Sequence, residues 1–256
     1  MIPKIESPIF GMVLPVSKID IKYRPMVQKD EKILLVAKEG SDPTEILGAI
    51  KQVVQNCILP IDIGKNSETL KPVFLNVDDL PVVDLEWAFI QLRATSVSNI
   101  SKVSYIDGVD QEQRDFDVDL NKVKIVMPDP GATNTPGNTV ILGDGTLIKL
   151  RYPPAYLYSD KNFLHSNGAD ATTKLAASCI ETIRNNENSS LTKIGIDFTQ
   201  AEAEEFILSW PIPMYEKLTD WISNLPQLNY EIKYKNNEDQ DRTIVLSSLN
   251  DFFTFA

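Results

Sequence analysis

A single histidine, two cysteines and no long apolar run are what this 256-residue sequence has least of, and each shortage closes off a class of chemistry. With His165 as the only imidazole, a Ser-His-Asp or Cys-His arrangement has one possible base. That base stands in Phe163-Leu-His-Ser-Asn-Gly168, which reads as a helix-end loop, and no Gly-x-Ser-x-Gly elbow occurs to supply its nucleophile. Two distant cysteines and one histidine cannot build a four-ligand zinc cage. Cys57 and Cys179 lie instead on apolar helical faces, as small buried hydrophobes of a reducing compartment. Neither the Gly-x-x-x-x-Gly-Lys nor the Gly-x-Gly-x-x-Gly phosphate-binding pattern is present. Ser190-Leu-Thr-Lys193 matches a Ser-x-x-Lys string, but in a polar loop and without its companion motifs. No cofactor is expected. No apolar run approaches the ~20 residues of a membrane span. Met1-Ile-Pro-Lys-Ile-Glu6 lacks the regions of a signal peptide, so a cytoplasmic protein is expected.

Positive charge is short as well. A formal net charge of −11 argues against nucleic acid and against an anionic membrane surface, both of which would repel the chain. Other proteins are the partners that remain. Hydrophobic content of 43% and charged content of 24% are ordinary for a folded chain of this length, with ample core.

The chain then declares its elements by period. Ile9–Tyr23 reads as a hairpin turning near Pro15–Lys18, and Lys29–Lys38 as an amphipathic helix ending at Gly40. Asp42-Pro-Thr-Glu45 is a helix start, with Asp42 as N-cap and Glu45 placed for a capping box. Ile46, Ala49, Ile50, Val53, Val54 and Cys57 succeed it at helical spacing as one buried face. Leu59–Asp79 reads as an extended surface loop, and Pro81–Ser96 as a helix with Leu85, Ala88, Phe89 and Leu92 as its stripe.

From Ile100 the period becomes two. Ile100–Ile106 and Asp115–Met127 read as strands around a turn at Asp107-Gly108, with Phe116, Val118 and Leu120 on one face and Asp115, Asp117 and Asp119 on the other. Asn138–Arg151 is a hairpin about Gly143-Asp-Gly145. Helices are expected over Pro154–Leu164, over Ala171–Arg184, after the capping box Thr199-Gln-Ala-Glu202, and over Pro213–Leu225. Tyr230–Tyr234 and Thr243–Leu246 close the chain as a hairpin. The expected class is α+β: an N-terminal β-hairpin with amphipathic helices (1–99), a β-rich middle layer (100–152), and a helical C-terminal part closed by a β-hairpin (153–256).

Two groups of residues are candidates for function. The acidic cluster Asp107, Asp110, Glu112, Asp115, Asp117 and Asp119 supplies oxygen ligands of the kind calcium takes, yet Leu120 stands where an EF-hand loop needs glycine. Strand alternation accounts for the spacing as a solvated sheet face. A metal-assisted hydrolase using the Asp107–Asp119 carboxylates is the alternative functional reading, since paired carboxylates do acid–base work when their pKa values are split. The other group suits partner contact, because aromatics and arginine carry much of the binding energy at protein interfaces. It comprises Tyr23, Arg24, Trp87 and Arg93 in the N-terminal segment, Tyr156 and Tyr158 after the Pro-Pro pair, and Phe252, Phe253 and Phe255 at the end.

Three stretches in order, Glu31-Lys-Ile-Leu-Leu-Val-Ala-Lys-Glu39, Glu45–Cys57 and Leu80-Pro-Val-Val-Asp-Leu-Glu-Trp-Ala-Phe-Ile-Gln-Leu-Arg-Ala-Thr-Ser-Val97, together with the closing Leu249-Asn-Asp-Phe-Phe253, resemble the T4-type myovirus baseplate hub assembly family. Arg93-Ala-Thr-Ser-Val97 is the most specific part. The resemblance covers about 22–127 and the last dozen residues. It implies a non-enzymatic role in building the hub of a contractile phage tail, as an assembly factor or minor hub subunit. It also implies other tail and hub proteins as partners, and the host cytoplasm or the virion baseplate as the location. Members often carry a cysteine pair in the β-rich segment; Tyr105–Asp119 here has none.

Overall fold

A computed structural model describes residues 7–40, 42–65, 72–128, 138–185 and 190–253. The chain starts with strands β1 (Phe10–Val13) and β2 (Asp20–Tyr23), helices α1 (Gln28–Gly40) and α2 (Pro43–Cys57), and strands β3 (Asp62–Lys65) and β4 (Pro72–Phe74). Helix α3 (Val82–Ser96) leads into β5 (Ile100–Ile106), β6 (Gln113–Asp119), β7 (Lys124–Val126), β8 (Thr139–Ile141) and β9 (Leu147–Leu150). Next come α4 (Lys161–Leu164), α5 (Gly168–Ser178), β10 (Ile180–Arg184), β11 (Leu191–Lys193), α6 (Gln200–Leu208) and α7 (Ile212–Ser223). Strands β12 (Gln227–Lys235) and β13 (Asp241–Leu246) and helix α8 (Leu249–Phe252) finish it. Small antiparallel sheets with separate helices make the class α+β.

Contacts divide the chain into two compact units, Met1–Val126 with Gln227–Ala256, and Met127–Pro226. The sequence segments 1–99, 100–152 and 153–256 track changes of period, whereas the contacts group the chain differently. The reason is one ladder: β7 pairs antiparallel with β12, Val126 opposite Gln227, which brings the closing hairpin back to the N-terminal elements.

In the first unit α3 is buried nearly all round. Val83, Leu85, Ala88, Phe89, Ile90 and Leu92 are inside, and so are Asp84 and Glu86. A helix buried over most of its circumference is a core helix. Asp84 is the polar group that makes this placement specific. Its carboxylate accepts the backbone N–H groups of Val16 and Ser17 at 2.8 Å each, clasping the β1–β2 turn. Helix α2 is the one the sequence described, capped by Asp42, whose side chain accepts from the Thr44 N–H. Its buried face is Ile46, Ala49, Ile50, Val53, Val54 and Cys57. Strand β2 is tied to its end, with the Arg24 N–H donating to the Cys57 carbonyl at 3.0 Å and the Leu59 N–H to the Lys22 carbonyl at 2.9 Å.

Several local expectations are corrected. The insert after α2 is no open loop, because β3 and β4 pair as a short hairpin and Asn76 caps a 3-10 turn at Val77–Asp79. The strand expected over Asp115–Met127 breaks at Asp119, whose carboxylate accepts from the Asn121 N–H and starts a 3-10 turn. Beyond that turn the chain resumes as β7, which pairs with β12 rather than β5.

In the second unit β11-β10-β9-β8 form one sheet, with α5, α6 and α7 packed on the apolar side. Val140, Ile148, Leu150 and Ile180 face Ala176, Ala203, Ile207, Leu218 and Trp221 in this core, and Tyr152 stacks on Trp221 at 5.8 Å. The helix expected over Ala171–Arg184 ends at Ser178, and Ile180–Arg184 runs as a strand bulged between Ile180 and Thr182. Three β-branched residues in five favour the pleated surface there. Pro154–Leu164 is a 3-10 turn at Ala155–Ser159 followed by α4, broken by the Asp160 cap. Thr199 and Glu202 close the expected capping box. Among the described residues no helix is long and apolar enough to cross a membrane.

Removing the Asp84 clasp leaves two part-buried N–H groups without their acceptor. Asp84→Ala should lower the unfolding free energy by about 2 kcal/mol, read as a lower urea midpoint. A midpoint unchanged from the parent contradicts the clasp.

Candidate partner-binding surface

The residues marked for chemistry turn out to be occupied with holding the fold. His165 is exposed at the end of α4, with Nδ1 2.7 Å from the Lys161 carbonyl oxygen. Burial pushes the thiols up, Cys57 to about 11 and Cys179 to about 12, so neither is a thiolate at neutral pH.

The acidic cluster is split by its own geometry. Asp115, Asp117 and Asp119 do share the outer side of β6, where Asp115 accepts from the Ser104 hydroxyl at 2.6 Å. Asp107 and Asp110 are not on that face, which corrects the expectation of one solvated acidic surface. Asp107 is fully buried, accepting from the Tyr234 hydroxyl at 2.6 Å and from the Val109 N–H at 2.8 Å. The Tyr234 hydrogen bond holds its carboxyl below the usual carboxylate range. Asp110 takes a two-pronged ion pair from Arg114, 2.9 and 2.5 Å, and the Asn237 N–H, and these hold its carboxyl far below the usual range. Arg114 in turn lies over the Tyr234 ring. These contacts lock the tip of β5–β6 to the tip of β12–β13. Among the described residues no group of carboxylates, histidines and cysteines is placed to hold a metal ion. Asp115 and Asp117 stand on an exposed strand face.

The partner-contact candidates scatter. Tyr23 is buried, stacked on Phe10 at 5.8 Å, with its hydroxyl 3.1 Å from Thr95 Oγ1. Arg24 is turned inward onto Asp30, with Nη1 at 2.6 Å and Nη2 at 3.2 Å. Trp87 is half-buried on α3. In the second unit Tyr156 and Tyr158 are half-buried in the 3-10 turn, and burial pushes the Tyr156 phenol up. Phe252 is 0% exposed, a core residue on α8, whose start is closed by the Ser248–Asp251 capping box. Phe255 lies outside the described residues.

Arg93 and Phe253 are the two that converge. They line a groove of about 350 Å³ in the first unit, between α1, the end of α3 and the start of β5. Phe253 meets Phe89 edge-on at 5.5 Å on its floor. Its apolar walls are incompletely covered: Leu35 is 48% exposed, Val97 54% and Ile100 41%. Helix α1 explains why. Of its thirteen residues only Asp30 and Ala37 are buried, although Ile33–Ala37 is a continuous apolar run. Five apolar residues in a row wrap more than one helical face and cannot all turn to one core. As a simply amphipathic helix in the sequence reading, α1 leaves Leu35 unnoticed, although the length of that run could have revealed it.

Residues 7–254, nearly the whole chain, match the family described as T4 bacteriophage base plate protein, and the chain belongs to that family. No curated protein and no solved structure matches it.

Arg24 and Asp30 form an ion pair whose carboxylate is fully buried. Burial raises the Asp30 carboxyl, but the Arg24 hydrogen bond, the Val27 N–H and the charges of Arg24 and Lys29 together hold it below its ordinary value. Such a carboxylate lends stability above its unfolded pKa of about 4, and that stability is lost as pH falls through the folded value. Arg24→Met should cost about 3 kcal/mol at pH 7, and the gap to the parent should narrow on acidification below about pH 4. Urea midpoints at neutral and acid pH measure both; a gap that stays constant speaks against the pair.

Proposed function

We propose that the chain is a non-enzymatic protein of the contractile-tail baseplate hub, acting by protein–protein binding as an assembly factor or as a minor hub subunit. Its partners on this reading are other tail and baseplate hub proteins, met in the host cytoplasm during assembly and, for a subunit, retained in the virion baseplate. Membership of the base plate family over residues 7–254 supports the reading. The observation that carries it beyond the family is the contrast within the first unit. The cluster of ionisable groups at Asp107 and Asp110 is consumed in joining two hairpins, while apolar side chains of α1, α3 and β5 stand open at a groove. Exposed apolar surface of that kind marks interaction sites.

Infection with a phage lacking the gene should give tails without baseplates, and supplying the chain in trans should restore them; complete, infective tails in its absence overturn the reading. Mass spectrometry of purified particles then separates the two versions. Stoichiometric presence means a subunit, and absence means a transient factor.

A further inference from the structure

We infer that the groove of the first unit receives a segment of a partner protein whose apolar side chains are flanked by carboxylates. This deepens the partner-binding reading and rests on it.

The walls of the groove are apolar and incompletely covered. Leu35, Val97 and Ile100 present a discontinuous surface around a floor made by Phe89 and Phe253. A volume of about 350 Å³ is in the range of sites that enclose small groups, here a few side chains of one segment.

Charge selects the occupant. Among the groove's lining residues Lys38, Arg93 and Lys102 stand against one carboxylate, Glu31, an excess of cations on a chain whose net charge is −11, with Asp119 across the β5–β6 ladder from Ile100. Lys38 and Lys102 are exposed, and among the described residues neither forms an ion pair, although Asp117 stands opposite Lys102 across the β5–β6 ladder. Arg93 reaches Glu31 only at 3.8 Å, with both side chains partly exposed, a pairing that solvent and a competing carboxylate displace at little cost. A rim of this sign attracts acidic segments and slows the approach of basic ones. A second copy of this chain is the weaker occupant, since two bodies of charge −11 repel during encounter.

The test uses the intact chain and short labelled peptides sharing one repeat of leucines, flanked by Glu, by Gln or by Lys, read by fluorescence anisotropy. The Glu-flanked peptide should bind about tenfold more tightly than the Lys-flanked one. That preference should shrink between about 0.05 M and about 0.5 M salt. The double variant Lys38→Glu, Lys102→Glu should reverse the order, and Val97→Asp should abolish binding of all of them. Both changes are on exposed side chains, and circular dichroism melts matching the parent certify that the fold is kept. Equal affinity for the peptides, no binding of any, or a self-association seen by sedimentation that Val97→Asp removes, each overturns the proposal. Normal baseplates without the gene would overturn the hub reading; failed peptide binding alongside a continued need for the gene overturns the groove alone.

Discussion

The first unit depends on a helix, α3, most of whose first three turns are buried. Burying Val83, Leu85, Ala88, Phe89, Ile90 and Leu92 of α3 removes their side chains from water, and apolar burial is favourable at about 25 cal/mol per Å². The same burial makes each polar atom on it expensive unless partnered. Asp84 is partnered by two backbone donors of the β1–β2 turn, so the cost of sequestering the carboxylate is offset only when that turn is in place. Hairpin and helix therefore specify each other's position. Phe89 on the same helix meets Phe253 and, at its margin, forms the floor of the groove. The open surface is thus an edge of the core rather than an appendage to it.

Charge in this protein divides into two kinds of use. Around Asp107 and Asp110 the carboxylates accept from Val109 and Arg114 nearby in sequence and from Tyr234 and Asn237, each 127 positions away. Asp30 is similar, taken by Arg24 at the start of α1. These groups are committed to architecture. Rim cations such as Lys38 and Lys102 are not so committed, and screened, exposed charges contribute little to folding stability. Their value lies in choosing what approaches.

Local grammar made much of the fold legible. The Asp42 and Thr199 caps, the period of α2 and the β8–β9 and β12–β13 hairpins are written in neighbouring residues, and they form where the residues say. What was illegible is non-local. Nothing near Lys124–Val126 indicates that its ladder partner lies at Gln227–Asn229, and in Ala171–Arg184 the β-branched Ile180, Thr182 and Ile183 are the one local sign of a switch that the helical spacing before them overrides. At the surface the same limit holds. Arg24, Tyr23 and Phe252 have the residue types of binding anchors, but burial and partners are tertiary facts, and all three are spent inside. Arg93 and Phe253 have the same residue types and reach the groove only because α1 leaves it uncovered.

The β7–β12 ladder also sets an order on biosynthesis. Between its two strands the ribosome must emit the whole of Met127–Pro226, a contiguous unit able to bury its own apolar residues first. Phe252, buried in the first unit, is supplied only after the whole second unit has emerged, so the core of the first unit is completed last.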